Sequence, residues 1–150
     1  MQIKSKQLRL HQVNLHHTVE TKELVKYWQK TSKYDFETML ALFEAKKYSN
    51  CLFYGHIALE KILKALVVQE TKNHAKPTHN LLLLCKQARV ALEKGDLEFL
   101  SEVNKFCLKA RYPDYKLSFY KLCTKEFTKT KIELIKKIYK KLCKTIMTKK

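Results

Sequence analysis

The segment from Ser49 to Thr71 constrains this chain more than any other. Leu52, Phe53, Ile57, Ala58, Leu59, Ile62, Leu63, Ala65, Leu66, Val67 and Val68 leave almost no face of a helix without an apolar side chain. A helix apolar all round has to be covered on every side, by other helices of the same chain or by a partner. Its few polar residues, His56, Glu60, Lys61 and Lys64, are confined to about one strip. His56, Glu60 and Lys64 follow one another at four-residue steps, so they stack along the axis.

The rest of the chain supplies helices to cover it. With two glycines and two prolines in 150 residues, little material exists for the tight turns of an all-β protein. Val25, Trp28, Ser32, Phe36, Met39, Leu40 and Phe43 predict a helix over about Lys22–Lys46. A break follows, with Ser49 as N-cap of the apolar helix. Thr78 is the expected cap of a third helix, with Leu81, Leu84, Cys85, Ala88, Ala91 and Leu92 as its stripe. Gly95 and Asp96 read as a turn and a new N-cap. Leu97, Leu100, Val103, Phe106, Cys107 and Ala110 then form a fourth stripe, which Pro113 ends. A last helix is predicted from near Asp114 to about Met147. Residues 1–20 show no clear period and read as an extended or flexible lead-in to a single bundle over 21–150.

Several function classes recede. No apolar run approaches the roughly 20 residues that span a bilayer, and no apolar stretch follows Lys4, Lys6 and Arg9 as in a secretory signal. The expectation is a cytoplasmic protein without membrane contact. The five cysteines are odd in number, widely spaced and without a CxxC pair, so they read as small buried hydrophobes in a reducing compartment. His11, His16 and His17 lack the four-residue spacing of helical metal ligands. There is no glycine-rich phosphate loop and no HExxH, and no cofactor or metal is expected. The formal charge of +17, nearly all lysine, attracts polyanions without specific readout. A lysine-rich proteome would produce the same excess.

Three stretches, taken in order, resemble the HEPN domain family. His56-Ile57-Ala58-Leu59-Glu60-Lys61-Ile62-Leu63-Lys64-Ala65-Leu66 is similar to its helix-two signature. Thr78-His79-Asn80-Leu81 is similar to the start of its helix three. Ala110-Arg111-Tyr112-Pro113-Asp114 matches the segment after helix four, and Trp28 and Asp35 resemble the family's opening helix. The resemblance covers about residues 22–145. It implies an all-α, antiparallel up-and-down bundle of about five helices, often a homodimer. Many members are paired with a minimal nucleotidyltransferase in toxin–antitoxin-like systems. Others are metal-independent RNases, which carry an arginine, about four to six intervening residues and then a histidine. Counted from Arg111, that histidine would fall at Lys116, Leu117 or Ser118, and none of these is histidine. The RNase activity is therefore not carried over. A non-catalytic module is expected instead, binding a nucleotide, a nucleic acid or a nucleotidyltransferase partner. A degenerate RNase and a basic RNA-binding protein are the alternatives.

Each candidate residue has a structural and a functional reading. Glu60 and Lys64 should pair with each other, meet Arg111, or face a cleft or a dimer seam, because burying either charge alone is costly. Arg111 either grips a phosphate, caps the end of helix four, or pairs with Glu60. His79 follows the Thr78 cap at a helix start, where the dipole favours a neutral imidazole and nearby anions, and is either a packed, hydrogen-bonded histidine or a catalyst. Tyr112 and Tyr115 either stack on a base or pack in the core or dimer seam. Asp114 belongs to the same segment, and Lys116 is a candidate to stabilise a phosphate.

Overall fold

The computed structural model describes residues 2–148, which form six helices and no strand. They are α1 (Gln2–Glu44), α2 (Tyr48–Thr71), α3 (Leu81–Gln87), α4 (Lys94–Arg111), α5 (Ser118–Leu122) and α6 (Lys125–Thr148). The core sits around α2, against which α1, α3, α4 and α6 all pack. Leu52, Ala58, Leu59, Leu63, Ala65, Leu66 and Val68 of α2 have no exposed surface, as an all-round apolar helix requires. The other helices bury one side each. On α6 this side is Thr128, Ile132, Ile135, Ile138, Leu142 and Ile146.

Two close approaches set the bundle's spacing. A Cβ on Gly55 would lie 2.7 Å from Ile135 Cδ1 of α6 and 3.0 Å from Met39 Sδ of α1. Ser32 Oγ donates to the Ala58 carbonyl at 2.6 Å, tying α1 to the middle of α2. The buried thiols behave as hydrophobes. Burial pushes Cys51 up to about 12, and Cys85 and Cys123 up to about 11, well away from the reactive thiolate range.

Several boundaries differ from the sequence reading. The lead-in read as extended or flexible over residues 1–20 is helical from Gln2, not extended, and continuous with α1. The side chains of His11, His16 and His17 lie outside the described residues; elsewhere no group of three metal-binding side chains occurs. Among the described residues, no helix is long and apolar enough to cross a membrane. Ser49 is buried inside α2 rather than capping it, and the chain turns through Lys46 in the left-handed region, at φ 60°. Asn80, not Thr78, caps α3: its side-chain oxygen accepts from the backbone N–H groups of Leu82 and Leu83. Thr78 instead accepts from the Asn80 N–H. The third helix stops at Gln87, so Ala91 and Leu92 lie outside it. Asp96 is in the first turn of α4, which starts at Lys94; it is buried and ion-paired to Lys141 of α6. The expected last helix is two, α5 and α6, because Leu117 takes a left-handed φ of 54° and the chain bends again at Cys123 and Thr124.

Candidate functional site

The buried strip of α2 organises the site. Glu60 sits on the inner part of that helix, nearly without solvent, and its two carboxylate oxygens are used separately. Oε1 accepts from Lys64 Nζ at 2.7 Å, one turn along the same helix. Oε2 accepts from His79 Nδ1 at 2.9 Å, across to the segment before α3. The Lys64 ammonium also lies 5.2 Å from the centre of the Trp28 ring, a cation–π contact that offsets part of its desolvation. The pair is thus both mutual and shared, which is how a charge can be tolerated in an apolar helix.

His56 completes the support. It is fully buried, and its Nε2–H donates to the His79 carbonyl at 2.9 Å. Burial holds its pKa below the usual 6.5, so the ring is neutral. Its proton on Nε2 leaves Nδ1 bare, 3.8 Å from Glu60 Oε2. His79 is therefore fixed twice: its carbonyl by His56 and its imidazole by Glu60. With Nδ1–H given to Glu60, the Nε2 of His79 is left toward solvent, and the side chain is 63% exposed.

A groove of about 300 Å³ opens beside this imidazole, lined by His56, His79, Asn80, Asn104, Cys107, Leu108 and Arg111. Asn104 of α4 accepts from the Leu81 N–H at 3.0 Å and donates to the Asn80 side chain at 3.3 Å. It thereby locks α3 against α4. Arg111 is the last residue of α4, which Pro113 stops, and it is exposed. It has no carboxylate partner among the described residues and lies 5.5 Å from the Tyr112 ring. The pairing of Arg111 with Glu60, one of the readings left open from sequence, is not formed. Both charges still act on Cys107 between them: burial raises that thiol, Arg111 lowers it and Glu60 raises it.

The remaining candidates do not join this groove. Tyr112 and Asp114 line a neighbouring hollow of about 330 Å³ with Lys109, Ser118, Phe119 and Leu122. Asp114 caps α5, its oxygens accepting from Ser118 N–H and Ser118 Oγ, each at 2.7 Å. These bonds hold its carboxyl below the usual range. Tyr115 is 90% exposed, with Lys116 beside its ring, and both are outside the two hollows. Neither Tyr112 nor Tyr115 packs in the core. Five groove residues were not among the candidates: His56, Asn80, Asn104, Cys107 and Leu108. Asn104 had a signal, a polar side chain one residue from Val103 and three from Cys107 on the apolar face of its helix.

An all-α bundle wound around one buried helix, with a polar cluster opening into a groove at the ends of α3 and α4, is the class defined by these features. The sequence profile of the HEPN domain matches residues 25–146, so the chain belongs to the HEPN domain family. Two solved structures share its fold. TT1696 from Thermus thermophilus is 18% identical, with a TM-score of 0.69 over 80% of this chain and 96% of that one. ST0689, an archaeal HEPN homologue, is 22% identical, with a TM-score of 0.64 over 81% and 97%. No curated protein matches the chain.

Proposed function

We propose that this HEPN domain is a binding module for a phosphate-bearing ligand, a nucleotide or the end of a nucleic acid, held between His79 and Arg111. The observation that carries the reading is that one groove holds both an imidazole fixed by Glu60 and a guanidinium that has no carboxylate partner among the described residues. Arginine's fork suits phosphate oxygens, and His79 Nε2 supplies a second contact on the same side. Titration calorimetry with ATP, GTP and AMP tests it. Binding that Arg111→Gln and His79→Ala each weaken at least tenfold supports the reading; binding indifferent to both substitutions overturns it.

A homodimer and a minimal nucleotidyltransferase partner belong to the same reading. Apolar surface for such contacts is offered less by α2, which its own chain covers, than by the end of α4, the turn after it and α5. Leu108, Tyr112 and Leu122 are each at least half exposed there. Light scattering of the native chain and of Leu108→Asp tests the dimer: a monomer mass for both counts against it.

One observation favours catalysis as a second reading. Folding brings His79 to the groove of Arg111, although the chain lacks a histidine shortly after that arginine. A carboxylate-held imidazole with a free Nε2 is the arrangement of a general base. Against it, the other imidazole of the groove is not free to protonate a leaving oxygen, since His56 is buried and already gives its Nε2–H to a carbonyl.

A further inference from the structure

The lysines are not spread evenly over the bundle. On the exposed surface of α1 between Glu20 and Glu44, Lys22, Lys26, Lys30 and Lys33 are interspersed with Glu20, Glu23, Glu37 and Glu44. Two of those lysines are ion-paired, Lys26 to Glu23 and Lys33 to Glu37. On α6 lysines outnumber the two glutamates, Glu126 and Glu133. Lys131 and Lys141, which face α4, are paired to Glu102 and Asp96. On the side away from the core, Lys125, Lys129, Lys137, Lys140 and Lys144 are exposed and have no carboxylate partner among the described residues. Lys136 is held by Glu133 at 3.0 Å.

At about 100° per residue and 1.5 Å rise, Lys129, Lys137, Lys140 and Lys144 fall within about 80° of one another and span about 22 Å; the exposed Glu126 and Glu133 share that sector, so the row is unbroken from Lys137 to Lys144. The row is straight and rigid, because Thr128, Ile132, Ile135, Ile138, Leu142 and Ile146 anchor the opposite side of the helix in the core. Like charges at four-residue spacing, as at Lys140 and Lys144, destabilise a helix by a few tenths of a kcal/mol each. A lysine-rich composition would load α1 and α6 alike, whereas lysines outnumber glutamates on the exposed side of α6 and balance them on α1 between Glu20 and Glu44.

From this we infer that the outer face of α6 is a docking surface for the phosphate backbone of a nucleic-acid duplex, separate from the groove of His79 and Arg111. Lysine offers a mobile point charge, suited to phosphates and unsuited to reading bases. The row holds no arginine and no exposed aromatic ring on which unpaired bases could stack, which favours a duplex over a single strand. No residue of α6 lines the groove, so the two surfaces can be tested apart.

The experiment is fluorescence anisotropy with a labelled duplex of about 20 base pairs over a series of salt concentrations, using the full chain. A fourfold variant, Lys129→Gln, Lys137→Gln, Lys140→Gln and Lys144→Gln, is compared with a control of equal charge, Lys26→Gln, Lys30→Gln, Lys33→Gln and Lys94→Gln. Each neutralised phosphate contributes about 0.9 to the slope of log K against log salt. The α6 variant should lose about three units of slope and at least tenfold in affinity, while the control and Arg111→Gln keep most of both. Equal losses in the α6 variant and the control would reduce the effect to net charge and overturn the inference. So would absence of duplex binding by the native chain, tighter binding of the single strand, or displacement of the duplex by polyglutamate as readily as by unlabelled duplex. Circular dichroism of both variants establishes that the helices are retained.

Discussion

Glu60 reaches from the buried centre of α2 to hold the His79 imidazole at 2.9 Å, and it does so while its other oxygen neutralises Lys64. One carboxylate therefore serves the stability of the core and the geometry of the groove.

Glu60→Gln should reveal both roles. It leaves the Lys64 ammonium buried beside a neutral amide, and breaking a buried pair by removing one partner costs about 3 kcal/mol or more. Urea unfolding measures this. Adding Lys64→Met removes the stranded charge and should recover most of the loss, without restoring the orientation of His79. A double variant no more stable than Glu60→Gln would show that the pair is not what stabilises this region.

The close approach at Gly55 makes a second prediction. Alanine has the better helix propensity, by about 1 kcal/mol, yet its methyl would press on Ile135 Cδ1 in a filled core. Overpacking of this kind costs about 1–3 kcal/mol, so Gly55→Ala should be destabilising on balance. Ile135→Val removes the clashing carbon. In the Gly55→Ala background it should cost less than it does alone, a coupling that a double-mutant cycle reads directly. Strict additivity would refute the packing argument.

His56 links stability to acidity. Its folded-state pKa is depressed below 6.5 by burial. Between that value and 6.5 the unfolded chain therefore binds the proton and the folded chain does not. Its contribution is complete above pH 6.5 and is lost as the pH falls toward the folded value. The urea midpoint of the native protein should drop between pH 7.5 and 5.5 by more than that of His56→Gln. Equal drops would place the pH sensitivity elsewhere.

Catalysis is the sharpest test of the binding reading. In a single-turnover assay on labelled single-stranded RNA, the native chain should show no cleavage that Arg111→Ala or His79→Ala abolishes. His79 can take a proton, but general acid–base work is worth about two to four powers of ten only when donor and acceptor are both in place. Arg111 cannot serve as a base near neutral pH. Cleavage lost in either variant would establish an active site in the groove.

The bundle was largely legible because burial writes itself into periodicity. The all-round apolar run of α2 forces it to the centre, and Pro113 stops α4 at the place it marks. Local chemistry was less legible. Thr78 and Asn80 are both capping residues, and only the path of the chain decides that Asn80 meets the open N–H groups of α3. The helix over residues 2–20 continues from the packed part of α1 rather than from a stripe of its own, so no period announces it. The groove was partly visible: Glu60 with Lys64 follows from spacing, whereas His79 opposite Arg111 depends on how three segments converge. Asp114 and Tyr115 share a stretch with Arg111, but the turn at Leu117 and the bonds from Ser118 to Asp114 carry them away from the groove.

The stapling of α3 has a dynamic consequence. This helix is only seven residues long, too short to persist by itself. It is retained by burial of Leu81, Leu84 and Cys85 in the core, by the bonds of Asn104 to Leu81 and Asn80, and by the grip of His56 on the His79 carbonyl. The polar residues that help to keep it folded also line the groove. Local opening of α3 therefore dismantles the groove as a unit. A ligand bridging His79 and Arg111 would slow the exchange of the Leu82 and Leu83 amide protons without touching either of them.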